Sequence, residues 1–394
     1  MKIALVSPYD FAYPGGVVNH ISCLEKQFTR MGHDVKIIAP ASKALYTLGD
    51  RFIRIGTPRS IPVSGSVARV TVSVRLESQV REAFQREKFD ICHLHEPLMP
   101  NLCTTVLRLK QSPMVGTFHA FGARPWYTLF GPLVNLYLRR WYNKLDGRIA
   151  VSETARRYVN AFFPGEYAVI PNGIDTHHFR PDVPPINGYQ DGKLNIVFVG
   201  RLEMRKGFNY LLKAYKYVKQ EIPGCRLIAV GPGTRLLKRY TRHVRRNGLE
   251  DVVFTGYASY DELPGYYKAA DVVCFPATGG ESFGIVLLEA MAVGRPIIAS
   301  SIEGYSGVMT NGEEGLSVPP KNPEKLAEAI IRILRDEQLR RRMGERGIPK
   351  ARNYDWEHVA ERLLDYYVAT LNKTAGKAPP PSEGMLTDTA SGNR

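Results

Sequence analysis

The sequence predicts an α/β chain built from two doubly wound parallel-sheet domains, and three observations carry that expectation. Its 394 residues exceed a single domain at about 150 residues each, pointing to between two and three. Short apolar runs alternate with amphipathic segments from end to end, which is the βαβ pattern of a parallel sheet covered on both faces. The pattern pauses once, at Pro181-Asp182-Val183-Pro184-Pro185-Ile186-Asn187-Gly188-Tyr189-Gln190-Asp191-Gly192, then restarts at Asn195. That stretch of Pro, Gly and Asx residues reads as a linker. With 44% apolar and 23% charged residues, composition excludes collagen, coiled coil and wholesale disorder.

In the first half, Ile3–Val6, Val35–Ala39, Ile91–Leu94, Val115–Phe118, Ile149–Val151 and Val169–Ile170 read as buried strands. Between the first two, Ile21, Leu24, Phe28 and Met31 hold helical spacing over 18–31. After the linker the strands fall near Ile196–Val199, Leu227–Val230, Val252–Phe254, Val272–Phe275 and Pro296–Ala299, a second doubly wound unit. A helix from Trp356, with Val359, Leu363, Leu364 and Tyr367 on one face, is expected to cross back to the first domain. The expected division is therefore 1–184, a linker at 185–193, 194–355, a crossover helix at 356–372 and a disordered polar tail at 373–394.

Five cysteines, odd in number and without a C-x-x-C pair, indicate neither a disulfide framework nor a thiolate zinc site, which fits a reducing cytosol. Met1 to Pro8 is too short in apolar residues for a signal-peptide core, and no segment holds the roughly 18 to 20 uncharged residues that span a bilayer. Membrane contact is expected to be peripheral, on the cytoplasmic face. The net charge of +15 is localised: 235–246 carries +6, 332–352 carries +5 and 124–148 carries +4. Such patches suit anionic lipid, nucleotide phosphates or nucleic acid, although each run alone also fits a solvated helix face. Nucleic acid is disfavoured, because no recognition motif accompanies the charge.

Three loops carry chemistry. Tyr9-Asp10-Phe11-Ala12-Tyr13-Pro14-Gly15-Gly16 lies between the first strand and a helix, where paired glycines let backbone approach an anion before a helix N-terminus. Gly200-Arg201-Leu202-Glu203-Met204-Arg205-Lys206-Gly207 follows the first strand of the second half, so Arg201 and Lys206 can converge on a diphosphate. In Gly279-Gly280-Glu281-Ser282-Phe283-Gly284-Ile285-Val286-Leu287-Leu288-Glu289-Ala290-Met291, two carboxylates punctuate an apolar helix. Buried carboxylates are costly unless something binds them, and a sugar nucleotide offers hydroxyls to the carboxylates and phosphates to the N–H groups of the helix start. Capping by Glu281 is the rival explanation, and it leaves Glu289 unexplained.

Pro14-Gly15-Gly16, Pro171-Asn172-Gly173-Ile174-Asp175, Gly200-Arg201 through Lys206-Gly207, and the Glu281/Glu289 pair together resemble a retaining glycosyltransferase of the GT-B fold, family four. Ser64-Gly65-Ser66-Val67-Ala68-Arg69, Phe89-Asp90, His93-Leu94-His95-Glu96-Pro97, Thr117-Phe118-His119 and Glu281-Ser282-Phe283-Gly284-Ile285-Val286 narrow the resemblance to bacterial phosphatidylinositol mannosyltransferases. The resemblance implies catalytic roles for His119, Arg201, Lys206 and Glu281. It implies donor contacts from Gly15, Gly16, Arg201, Lys206, Ser282, Phe283, Gly284, Ile285 and Glu289, and acceptor contacts from Tyr9, Arg69 and Arg124. It further implies a nucleotide-sugar co-substrate, GDP-mannose by preference, an anionic lipid acceptor and no tightly bound cofactor. Val18, Leu98 and Ala120 stand where that family has polar residues, and Glu77, Glu82 and Glu87 interrupt the basic character of its lipid-docking helix. Neither a D-x-D nor any His, Asp and Glu spacing typical of metal ligands occurs, so no obligatory metal site is expected, and the missing G-x-S-x-G elbow disfavours a serine hydrolase.

Overall fold

The computed structural model describes residues 1–13, 15–63, 66–71, 73, 76–119 and 131–376. Pro14, Ser64, Gly65, Ala120, Arg124 and most of the expected tail lie outside these residues.

The first sheet uses β1 (Lys2–Val6), β2 (Asp34–Ala39), β3 (Phe52–Arg54), β6 (Ile91–His95), β7 (Met114–Phe118), β8 (Gly147–Ala150) and β9 (Ala168–Val169). Their order is β3-β2-β1-β6-β7-β8-β9, and every pairing is parallel. β4 (Pro58–Val63) and β5 (Ser66–Thr71) form a separate antiparallel hairpin. The helices here are α1 (Gly16–Arg30), α2 (Leu76–Glu87), α3 (Leu102–Leu109), α4 (Gly131–Tyr142) and α5 (Glu153–Phe162). Helix α1 buries His20, Ile21, Leu24 and Phe28 against the sheet, as its apolar spacing dictates.

The second sheet runs β12-β11-β10-β13-β14-β15, again wholly parallel. Its strands are β10 (Leu194–Val199), β11 (Cys225–Val230), β12 (Val252–Gly256), β13 (Val272–Phe275), β14 (Ile297–Ser300) and β15 (Gly315–Val318). Helices α6 (Phe208–Glu221), α7 (Leu237–Arg246), α8 (Leu263–Ala269), α9 (Ile285–Ala292), α10 (Glu303–Ser306), α11 (Pro323–Arg335) and α12 (Glu337–Arg352) flank it. The last helix, α13 (Trp356–Thr374), starts where Asp355 Oδ1 accepts from the Glu357 N–H at 2.9 Å. Trp356, Val359, Ala360, Leu363 and Tyr367 of α13 share a core with Ile3, Leu5, Ile21, Leu24 and Phe28 of the first sheet and α1.

Both sheets are thus two doubly wound α/β layers. In each, strand order reverses once, between β1 and β6 and between β10 and β13. Loops at the carboxyl ends of strands beside such a reversal splay apart and leave a crevice. The three chemistry-bearing loops leave β1, β10 and β13, so each sheet brings its own to its switch point.

Candidate functional site

Around the second switch point the chain is held by glycine. Gly207 has φ +72°, and a Cβ there would meet the Pro276 carbonyl oxygen at 1.8 Å, so the β10 loop lies directly on the loop after β13. This approach brings the cations to Glu281. Lys206 Nζ lies 2.9 Å and the Arg205 guanidinium 2.6 Å from Glu281 Oε1, whose side chain is 11% exposed. Arg201 pairs with Glu203 at 3.3 Å, and Arg205 reaches the other oxygen of Glu203 at 3.0 Å. Three cations and two carboxylates therefore share one small loop cluster, and sequence reading had not separated Arg205 and Glu203 from their neighbours.

Helix α9 starts at Ile285 with Gly284 as its N-cap, at φ +89°. Glu281 therefore lies in the preceding loop, ahead of the helix start at which the sequence pattern placed it, and it does not cap the helix. The phenyl ring of Phe283 is 5% exposed and packs on Tyr354. Ser282 turns its carbonyl to the first sheet's side, where Ser152 Oγ donates to it at 2.5 Å, and Ile285 is exposed. Glu289 sits one helix face away, its Oε2 accepting from the buried Tyr267 hydroxyl at 2.6 Å. Burial pushes the Glu289 carboxyl above the usual carboxylate range.

On the first sheet, Gly15 caps α1 without a side-chain hydrogen bond, and nothing lies within 4 Å of where a Cβ on Gly15 or Gly16 would stand. The space beside both glycines at the start of α1 is open, so an anion can approach the helix N-terminus. Tyr9 pairs as a bridge with Val70 of β5, and the Asp10 N–H donates to the Arg69 carbonyl at 2.8 Å. The Arg69 guanidinium stacks 3.6 Å over the Tyr13 ring, so the hairpin places Arg69 beside the Tyr9 loop. Arg124 lies outside the described residues. Val18 and Leu98 are buried in the hydrophobic core.

His119 follows β7. Its N–H donates to Glu96 Oε1 at 2.8 Å, and its Nε2 lies 3.0 Å from His95 Nδ1. His20 stacks edge-on against His95, His119 and Trp356. His93 bonds the Tyr367 hydroxyl and Thr117 Oγ1, both at 2.6 Å. Burial lowers His20 to about 4 and His93 to about 3, and holds His95 and His119 well below the ordinary imidazole value. All four are neutral at pH 7. Sequence spacing had shown no metal-ligating pattern, yet the fold draws His20, His95 and His119 together, with one ring nitrogen of each within 4.8 Å of the others. Residues 75 and 24 positions apart in the chain meet only because their strands and helix share one switch point.

The basic run 124–148 is partly core, since Leu138, Trp141 and Tyr142 of α4 are buried. A helix after β7 must cover the sheet with one side. Leu136 (69% exposed) and Tyr137 (50% exposed) remain outward, with Arg140 over the Tyr137 and Trp141 rings at 4.7 and 4.3 Å. Trp126, Tyr127, Leu129 and Phe130 lie outside the described residues. In α2, Glu77 pairs with Arg81 and Arg108, and Glu87 with Lys2 and Arg86. No helix among the described residues is long and apolar enough to cross a membrane.

Two doubly wound parallel sheets, with a cation and carboxylate cluster at one switch point and the glycine-bounded start of α1 at the other, have the architecture of the GT-B glycosyltransferases. Residues 14–178 match the glycosyltransferase family 4 model and residues 179–349 the glycosyl transferases group 1 model. The phosphatidyl-myo-inositol mannosyltransferase of Mycobacterium leprae is 35% identical over 93% of this chain and 96% of its own. That of Mycolicibacterium smegmatis is 34% identical over 93% of each. The chain belongs to this family of retaining glycosyltransferases. Among solved structures, the sucrose-phosphate synthase of Thermosynechococcus elongatus superposes with a TM-score of 0.72 at 22% identity, covering 95% of this chain and all of its own. HepE of Anabaena in complex with UDP gives 0.73 at 20%, covering 93% and 99%. At those identities the two share the fold.

Proposed function

We propose that the protein transfers mannose from GDP-mannose, with retention, to the inositol headgroup of an anionic phospholipid at the cytoplasmic membrane surface. The names of the relatives support mannose and the lipid. The observation that carries the donor side is the 2.9 Å pair of Lys206 and Glu281 at the second switch point. A sugar nucleotide presents phosphate and sugar hydroxyls side by side, and this pair presents a cation and a carboxylate side by side. In transfer, the bond between the anomeric carbon and the diphosphate oxygen breaks, a bond to the acceptor oxygen forms, and the hydroxyl proton leaves with the nucleoside diphosphate. Lys206 and Arg201 meet the negative charge that grows on the diphosphate. Gly15, Gly16 and the backbone of Ser282, Phe283, Gly284 and Ile285 supply further N–H donors. Glu281 holds the sugar and Glu289 the ribose, while His119 stands at the reacting centre as a neutral imidazole. Tyr9, Arg69 and Arg124 face the acceptor, and the basic face of α4 rests on lipid.

Incubation of GDP-[14C]mannose with the protein and phosphatidylinositol vesicles tests this. Label is expected in the chloroform phase, against none with UDP-glucose or with phosphatidylcholine vesicles. Transfer to water-soluble acceptors alone would overturn the lipid assignment, and labelling from UDP-glucose alone would overturn the donor assignment.

A further inference from the structure

Two buried ring nitrogens at the floor of the first switch point have no partner among the described residues. His20 Nε2 and His95 Nε2 are both unbonded, although His20 is only 5% exposed and His95 fully buried. A buried polar atom left without a partner costs about 1 to 3 kcal/mol, so His20 Nε2, whose other ring nitrogen is already bonded to Asn172, calls for an occupant. His119 completes the group: one ring nitrogen of each of the three lies within 4.8 Å of the others.

We propose that His20, His95 and His119 bind one first-row divalent cation of the zinc type. Tetrahedral zinc holds imidazole nitrogens at about 2.0 to 2.1 Å, which sets them roughly 3.4 Å from one another. His95 Nδ1 and His119 Nε2 are already 3.0 Å apart. Closure of a pair at the 4.8 Å limit therefore requires an inward shift of about 1.4 Å, within reach of side-chain rotation. The opposite ring nitrogen of His20 lies 2.9 Å from Asn172 Oδ1. That is the outer contact that orients a ligating imidazole and fixes its tautomer. An all-imidazole set selects zinc, copper or nickel over magnesium and calcium, which prefer oxygen. The proton of the His95 Nδ1–His119 Nε2 hydrogen bond has to move to the far nitrogen of its ring before both of these nitrogens can ligate. His119 is half-buried, whereas His20 and His95 are buried. Because the ligand set includes His119, a bound cation and a donor sugar would compete for the same imidazole.

Binding is read without sugar transfer, so this inference does not rest on the proposed reaction. The purified full chain is stripped with chelator and titrated with Zn2+ against a chromophoric competitor, then with Co2+ as a spectroscopic probe. We expect one tight equivalent of Zn2+ and the intense visible bands of four-coordinate Co2+. His20→Ala and His95→Ala should each weaken binding at least 100-fold, and Asn172→Ala 10- to 100-fold through lost orientation. Asn172→Ala keeps all three ligands, so its effect remains readable if a histidine variant unfolds. Exposed His177→Ala and His358→Ala should bind as wild type. Absence of a retained equivalent, or wild-type affinity in the folded His20 or Asn172 variant, would show that the three rings form a hydrogen-bonded cluster only.

Discussion

Acidification from pH 7 to pH 5 should destabilise the protein sharply, and the four buried histidines set the size of the effect. An imidazole in the unfolded chain titrates near 6.5, whereas burial lowers His20 to about 4 and His93 to about 3 in the fold. The folded-state values are depressed, so the unfolded state binds the protons first. Stability is full above about pH 6.5 and falls as pH drops toward the folded values. Between pH 7 and pH 5 each such histidine removes about 2 kcal/mol. Burial also holds His95 and His119 well below the ordinary value, so their loss runs in the same direction and adds to that of His20 and His93. Carboxylates of the unfolded chain titrate near 4, mostly below this window, and Glu289, raised by burial, shifts stability in the opposite sense.

Urea denaturation at pH 7 and pH 5, in buffer containing chelator, measures the difference directly. His93→Gln can keep hydrogen bonds to Tyr367 and Thr117 while removing the titration, so its difference should shrink by about 2 kcal/mol. A free energy of unfolding equal within 1 kcal/mol at the two pH values, or an unchanged difference in His93→Gln, would refute the buried neutral histidines.

The remaining expectations concern the reaction and its surface. Lys206→Ala and Arg201→Ala should each cut turnover about 10² to 10³-fold at saturating donor, with little change in melting temperature. Calorimetry should show Glu289→Gln weakening GDP and GDP-mannose alike, and Glu281→Gln weakening GDP-mannose while sparing GDP. Gly207→Ala should lower stability by at least about 2 kcal/mol, since it combines a left-handed backbone with a collision on Pro276. Each cation near an anionic surface contributes roughly 1 kcal/mol, so Arg139→Ser/Arg140→Ser/Lys144→Ser should weaken co-sedimentation with anionic vesicles about a hundredfold.

Elements buried on both faces were legible because such strands read as runs of Val, Ile, Leu and Ala: Lys2–Val6, Leu194–Val199 and Val272–Phe275 all appear so. The hairpin Pro58–Val63 and Ser66–Thr71 did not, since Pro58, Pro62, Arg59 and Arg69 hide its alternation. Strand Gly315–Val318 offers four residues, too few for a period. At the donor loop, Glu281 and Glu289 stood out through the cost of burying a carboxylate. A loop has no period, however, so nothing in the sequence told which of Arg201, Arg205 and Lys206 turns to Glu281. The histidine cluster did leave a trace. His20, Leu24 and Phe28 recur every four residues, which places His20 on the buried face of its helix. His93 and His95 alternate by two, which points both to one side of their strand. What no local pattern carries is that these faces meet, because that follows from the strand order β1-β6-β7.

The proposed donor role also accounts for the charge arrangement without a donor. Arg201, Arg205 and Lys206 against Glu203 and Glu281 leave the loop cluster with a net charge of +1. Two of those cations sit on Glu281, so a half-buried carboxylate is satisfied while the site waits. An arriving diphosphate offers the cations a more highly charged partner, and the sugar hydroxyls beside it offer Glu281 new donors. The ion pair can then be exchanged for ligand contacts of the same kind, with every buried charge still partnered. A site built of cations alone would bind phosphate as well, yet it would repel itself when vacant and would give the sugar nothing to hold. Glu281 thus serves both states.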